Sequence, residues 1–217
     1  SMSTQTDRGI WITIGFIVLF MALVVGSFIN RVPQPRIMPV SEMRANGLFL
    51  FDTPRDPGEF RLVDHHGKPF TEVELEGRWT LLFFGFTHCP DICPTTLSFL
   101  ANLTEEFEST EVEDTRVVMV SVDPARDTTD VLASYVPYFH PEFLGVTGEF
   151  IDILNVARVF NSPFRKVTEP DGSYTIDHGT NVILINPKGD FHGFFRAPLD
   201  LAKVKVTYRS ARYLWNH

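Results

Sequence analysis

Hydrophobic residues fall along this chain in four kinds of run, and each kind predicts a different element. The first is unbroken. Residues 9 to 29, 21 positions, carry no charge and as a helix would span about 31 Å, the thickness of a bilayer core. The second is the short apolar run, Thr80 to Phe86 and again Arg116 to Val122, whose length suits a fully buried strand. The third is helical spacing: Leu97, Leu100, Leu103 and Phe107 form one stripe after the first buried run. After the second, Val131, Leu132, Tyr135 and Phe139 form another behind the polar opening Asp127-Thr128-Thr129-Asp130. The fourth is punctuated by a turn, with Val182–Ile185 and Phe191–Phe195 flanking Asn186-Pro187-Lys188-Gly189-Asp190 as a hairpin.

Shorter signals complete the order. Leu48-Phe49-Leu50-Phe51 and Phe60-Arg61-Leu62-Val63, with Asp64-His65-His66-Gly67 as a turn, suggest an amino-terminal hairpin leading into the core. Gly148 to Phe160 reads as a short helix and Leu199 to Trp215 as a final amphipathic one. A helix between two buried strands implies a right-handed parallel crossover, and the late hairpin adds antiparallel strands to the same sheet. The expected class is α/β: a thioredoxin-like central mixed sheet flanked by helices, with an N-terminal β-hairpin and one N-terminal transmembrane helix. The expected organisation is a tail over 1–8, an anchor over 9–29, a linker over 30–47 and one domain over 48–217. Ser1 before Met2 reads as a tag remnant.

The residues after the long apolar run, Asn30-Arg31-Val32-Pro33, lack a small-residue cleavage pattern, so an uncleaved anchor is expected. Val32-Pro33-Gln34-Pro35-Arg36 has the composition of a semi-rigid spacer. Arg8 lies before the span and Arg31, Arg36 and Arg44 after it. That count alone favours a cytoplasmic domain, but the rule weakens for long translocated domains, and a short tail before a single span commonly stays inside. The tail is unlike an Arg-rich transit peptide, so the expected address is a bacterial inner membrane with the domain in the periplasm. A net charge of −8 argues against a nucleic-acid partner, since phosphate binding needs a basic face.

The only two cysteines, Cys89 and Cys93, lie in Thr87-His88-Cys89-Pro90-Asp91-Ile92-Cys93-Pro94, at a junction from strand to helix. Prolines suit a turn and a first helical turn. Positions i and i+4 share a helix face with Cβ atoms about 5–6 Å apart, close enough for a disulfide or for two bonds to one metal ion. A disulfide here would close a very short loop and restrict little of the unfolded chain. The helix amino terminus stabilises thiolates, which aids ligation and nucleophilic attack alike.

Three blocks carry a resemblance: Phe84 to Pro94, then Ser121-Val122-Asp123-Pro124-Ala125-Arg126-Asp127-Thr128, then Asp177-His178 before a strand. In this order they resemble the Sco/SenC family of membrane-anchored copper proteins. The resemblance implies one copper, Cu(I) or Cu(II), held by Cys89, Cys93 and His178, and a role in assembling the binuclear CuA centre of cytochrome c oxidase. Soft thiolates suit Cu(I), and imidazole suits either state.

Asp177 is a candidate to hold the imidazole by a hydrogen bond. His88 is an alternative ligand, and Asp91 is a candidate for tuning the site or meeting a partner. Asp123 reads as a turn residue or a shaper of the site, and Asp127 as a helix cap. The expected partners are the copper-receiving oxidase subunit, a copper donor or thiol reductant, and the membrane. A chaperone that is not an enzyme in the turnover sense is the leading expectation. A thiol:disulfide oxidoreductase working through the Cys89/Cys93 dithiol, or a copper or redox sensor, is the alternative.

Overall fold

The computed structural model describes residues 3–31, 36–108 and 114–216. The chain divides into two compact units, Ser1–Arg36 and Ile37–His217. The first is a single helix, α1 (Ser3–Arg31), long and apolar enough over Arg8–Arg31 to cross a membrane. Its large side chains face outward, with Trp11 and Phe28 each 73% exposed, as a helix surrounded by lipid would have them. Most of the expected spacer, residues 32–35, lies outside the described residues.

The second unit begins earlier than the expected boundary at 48. Helix α2 (Val40–Ala45) falls within the anticipated linker and buries Met43 completely. Strand β1 (Leu48–Arg55) does not pair with the next strand in sequence. The amino-terminal hairpin is made instead by β2 (Leu62–Asp64) and β3 (Pro69–Phe70), across a turn in which the Asp64 carboxylate accepts from His66 and Lys68 backbone N–H groups.

The two buried runs are β4 (Thr80–Gly85) and β5 (Arg116–Ser121), paired in parallel and separated by α3 (Ile92–Glu108). Helix α4 (Thr129–Tyr135) leads to β6 (Leu144–Thr147), a parallel neighbour of β5. Helix α5 (Phe150–Val159) is followed by β7 (Phe164–Thr168) and β8 (Tyr174–His178), then β9 (Val182–Ile185), β10 (Phe191–Phe195) and α6 (Leu201–Asn216). One sheet has the order β1-β10-β9-β4-β5-β6-β2-β3, with β9 antiparallel to β4, so the late hairpin does extend the central sheet. Strands β7 and β8 pair only with each other.

Alternation along β4 splits the core. Leu81 and Phe83 face one cluster with Leu97, Leu100 and Tyr208, while Leu82 and Phe84 face a second with Val118, Ile153 and Phe160. The two cysteines belong to the second cluster. Gly85, at the end of β4, is a packing necessity: a Cβ there would stand 3.0 Å from the Cys93 sulfur and 3.1 Å from the Phe83 ring.

Candidate metal centre

The CxxxC segment leaves the sheet where β4 ends. The Cys89 N–H donates to the Phe86 carbonyl at 3.2 Å, and Cys93 falls in the first turn of α3. That geometry aims the Cys93 backbone N–H at the Cys89 sulfur, 3.3 Å away. His178 ends β8 and places Nε2 3.7 Å from the Cys93 sulfur. The Cys89 sulfur, the Cys93 sulfur and a His178 ring nitrogen all lie within 4.8 Å of one another. Among the described residues no other three His, Cys, Asp or Glu side chains converge in this way.

The imidazole is oriented for ligation. Its Nδ1 stands 2.9 Å from the Gly179 carbonyl, which can only accept, so the Nδ1 proton is held there. In the neutral ring the Nε2 lone pair then points at the sulfurs, the arrangement a metal-binding histidine needs. Asp177 does not supply this hydrogen bond: its exposed carboxylate pairs across the hairpin with Arg165 at 3.2 Å. Phe86 backs the imidazole edge to face, with ring centroids 5.7 Å apart.

The cysteines are free and unequal. Cys89 is drawn down to about 4, first because the Cys93 thiol donates to it and further by the backbone N–H groups of Cys93 and Asp91, against an opposing desolvation. Cys93 is pushed up, since it holds the shared proton and is buried. Cys89 is thus the resident thiolate and Cys93 the proton holder. Binding of a cation releases that second proton. The reduced, metal-free protein is therefore expected to show one thiolate in its ultraviolet absorbance, appearing near pH 4 and absent in Cys89→Ser. A first thiolate appearing only above pH 8 would contradict this assignment.

The remaining residues singled out in the sequence fall around this group, outside the three donors. His88 is exposed, and its Nδ1 lies 3.1 Å from the Thr87 hydroxyl. Asp91 is exposed ahead of α3, and its carbonyl accepts from Thr95 at 3.1 Å. Asp123 is 3% exposed, binds Arg126 through Oδ2, and takes the Tyr174 hydroxyl at 3.0 Å on Oδ1.

Asp127 is not the cap of α4, because Thr128 fills that position and accepts from Val131. It is fully buried and accepts from the Thr87 N–H at 2.9 Å, the Thr87 hydroxyl, and the Ser121 hydroxyl at 2.6 Å. It ties the loop before Cys89 to the end of β5. Tyr135 also feels the site: burial first, and then the cysteine charges, push its hydroxyl up to about 12. Neither Tyr135 nor Tyr174 stood out in the sequence as a site residue.

The donor set suits a soft cation. Metal–sulfur and metal–imidazole bonds run about 2.0–2.3 Å, so ligand atoms on one ion stand roughly 3.5–4.6 Å apart, close to the spacing present here. Two thiolates and an imidazole are ligands that copper accepts in both common oxidation states.

Comparison with known proteins points the same way. A Stutzerimonas stutzeri protein that carries a copper-binding designation is 40% identical over 160 residues, covering 73% of this chain and 77% of that protein. The mitochondrial SCO1 homolog 1 of Arabidopsis thaliana is 41% identical over 138 residues, 64% of this chain but only 41% of its own length. The crystal structure of Arabidopsis thaliana ScoI with copper bound superimposes with a TM-score of 0.66 at 38% identity, covering 72% of this chain and 98% of that one. The SCO1/SenC family model matches residues 52–210, which take in the sheet from the middle of β1 onward, the CxxxC loop and the hairpin bearing His178, and the chain belongs to the SCO1/SenC family.

Proposed function

We propose that this chain is a membrane-anchored copper carrier. One copper ion is held by Cys89, Cys93 and His178 and passed to the copper-receiving subunit of cytochrome c oxidase, for its binuclear CuA centre. The single observation that carries the reading is the convergence of two sulfurs and a correctly oriented imidazole within 4.8 Å. The copper-binding designation of the Stutzerimonas relative and the copper in the Arabidopsis structure support it. The apolar helix over Arg8–Arg31 is long enough for an anchor, and the lack of a small-residue cleavage pattern after it supports one that is retained, with the domain outside the cytoplasm.

Copper is cargo in this reading, and the protein is a carrier without turnover chemistry. Its residues perform three tasks. Cys89 offers a thiolate before copper arrives, Cys93 gives up its proton as the second bond forms, and the Gly179 carbonyl keeps the imidazole lone pair directed inward.

Titration of the full chain, reduced and in detergent, tests the assignment. One copper per chain is expected, with a strong thiolate-to-Cu(II) absorption that both Cys89→Ser and Cys93→Ser remove. Substoichiometric binding without that absorption would overturn it.

A further inference from the structure

His178 stands on a hairpin that shares no ladder with the eight-stranded sheet. No ladder hydrogen bond to the central sheet therefore sets how high the imidazole sits above the cysteines; the tie to that sheet is the chain itself, residues 179–181 leading into β9. The hairpin is attached in two ways. Ile176, 8% exposed, enters the core, and Phe164 meets Phe150 edge to face at 5.8 Å. Such apolar contacts are non-directional and tolerate sliding.

The directional attachment lies at the other end of β8. There the Tyr174 hydroxyl donates to Asp123 Oδ1 at 3.0 Å, while Asp123 Oδ2 binds Arg126. The Arg126 guanidinium lies 3.9 Å from the Tyr174 ring centroid and 5.9 Å from that of Phe86, the ring that backs His178. Its Nη1 also reaches the Tyr174 carbonyl at 3.5 Å. Lys166, on β7, places its ammonium 3.7 Å from the same tyrosine ring.

The anchor point is itself rigid. Asp123 is almost completely buried, and its N–H donates to the Ser121 hydroxyl at 3.1 Å. That hydroxyl donates to Asp127, which binds Thr87 ahead of Cys89. One polar network thus touches both the cysteine loop and the start of β8. A strand rises about 3.3 Å per residue, so Tyr174 and His178 lie roughly 13 Å apart along one stiff segment. Fixing one end sets the position of the other.

Resting on the copper-carrying reading, we propose that Tyr174 is a positioning residue for His178: its hydroxyl, on Asp123 beside Arg126, latches the β7–β8 hairpin so that the imidazole is held over the two sulfurs. Release of the latch lets the imidazole swing away while both thiolates stay in place. Copper transfer then begins by loss of the histidine bond, with the metal still held by sulfur.

Tyr174→Phe keeps the ring and removes only the hydroxyl. A hydrogen bond to a charged group is worth about an order of magnitude or more in an opening equilibrium. Trypsin cleavage of the metal-free full chain after Arg165 and Lys166, resolved by mass spectrometry, is expected to accelerate about tenfold. Copper loss to a competing chelator is expected to accelerate by a similar factor, with little change in the global unfolding midpoint. Asp123→Ala, which removes both acceptor oxygens, is expected to reproduce both accelerations and serves if the first variant fails to fold. Unchanged cleavage, or faster cleavage with wild-type copper release, overturns the proposal. A wild-type chain that binds no copper overturns the carrier reading instead, and the cleavage comparison then decides the latch by itself.

Discussion

Replacing His178 by alanine is expected to weaken copper binding by at least about a hundredfold while leaving the fold intact. Even partners one shell beyond a metal cost about 10–100-fold when removed, so loss of a direct donor sets a higher floor. The stability cost should be small. The imidazole is half-buried, its Nδ1 bonds an adjacent carbonyl, and its other neighbours are the Phe86 ring and the sulfurs. Chelator competition on the full chain measures the affinity, and oxidase maturation in a strain carrying the variant measures the consequence. Wild-type affinity with full maturation would sink the three-donor site. Maturation that survives in His178→Ala and fails in Cys93→Ser would shift the function toward thiol chemistry.

The second large effect belongs to Asp127, which touches no candidate ligand. Asp127→Ala takes the acceptor from the half-buried Thr87 N–H and from the fully buried Ser121 hydroxyl, and leaves the Thr87 hydroxyl only His88 Nδ1. Each orphaned donor costs about 1–3 kcal/mol, so a loss of about 3–5 kcal/mol is expected. For a domain of this size that lowers the unfolding midpoint by roughly 6–20 °C.

Asp127→Asn should cost less, about 1–2 kcal/mol, because its amide oxygen keeps two donors and the Thr87 hydroxyl can rotate to accept from the amide. Thermal unfolding of the two variants checks the order. Equal, small shifts would show that the carboxylate is dispensable to the cysteine loop. The alanine variant is also expected to bind copper less tightly, since Thr87 leads directly into His88 and Cys89.

The strands β4, β5 and β9, buried almost throughout, and β10, α3 and α6, whose burial repeats at a regular period, could be read from the run of apolar positions. The cysteine pair was legible because strand, proline and helix signals converge on it. The β7–β8 hairpin was not. Phe164–Thr168 and Tyr174–His178 expose residues on both faces, with Arg165, Lys166 and Asp177 all outward, so neither shows a core-facing stripe. The intervening Pro170-Asp171-Gly172, with Gly172 at φ 84°, was the available turn signal.

Strand β6 escaped because Leu144–Thr147 is too short for a period to register. Strand β1 found a partner more than a hundred residues away, Leu48 opposite Phe195, which no local pattern encodes. Asp127 was mistaken for a cap because it stands immediately before the true cap, Thr128, while its carboxylate oxygens turn backward to Thr87 and Ser121.

The separation of 85 residues between Cys93 and His178 reaches beyond ligation. An unfolded or half-synthesised chain can still chelate weakly through the neighbouring thiols, but it cannot present the imidazole with them. Metal therefore stabilises the native state only by the ratio of three-donor to two-donor affinity. A polypeptide threading across a membrane would stay nearly indifferent to copper until its last strands had joined the sheet, a safeguard against trapping the ion on an unfinished protein.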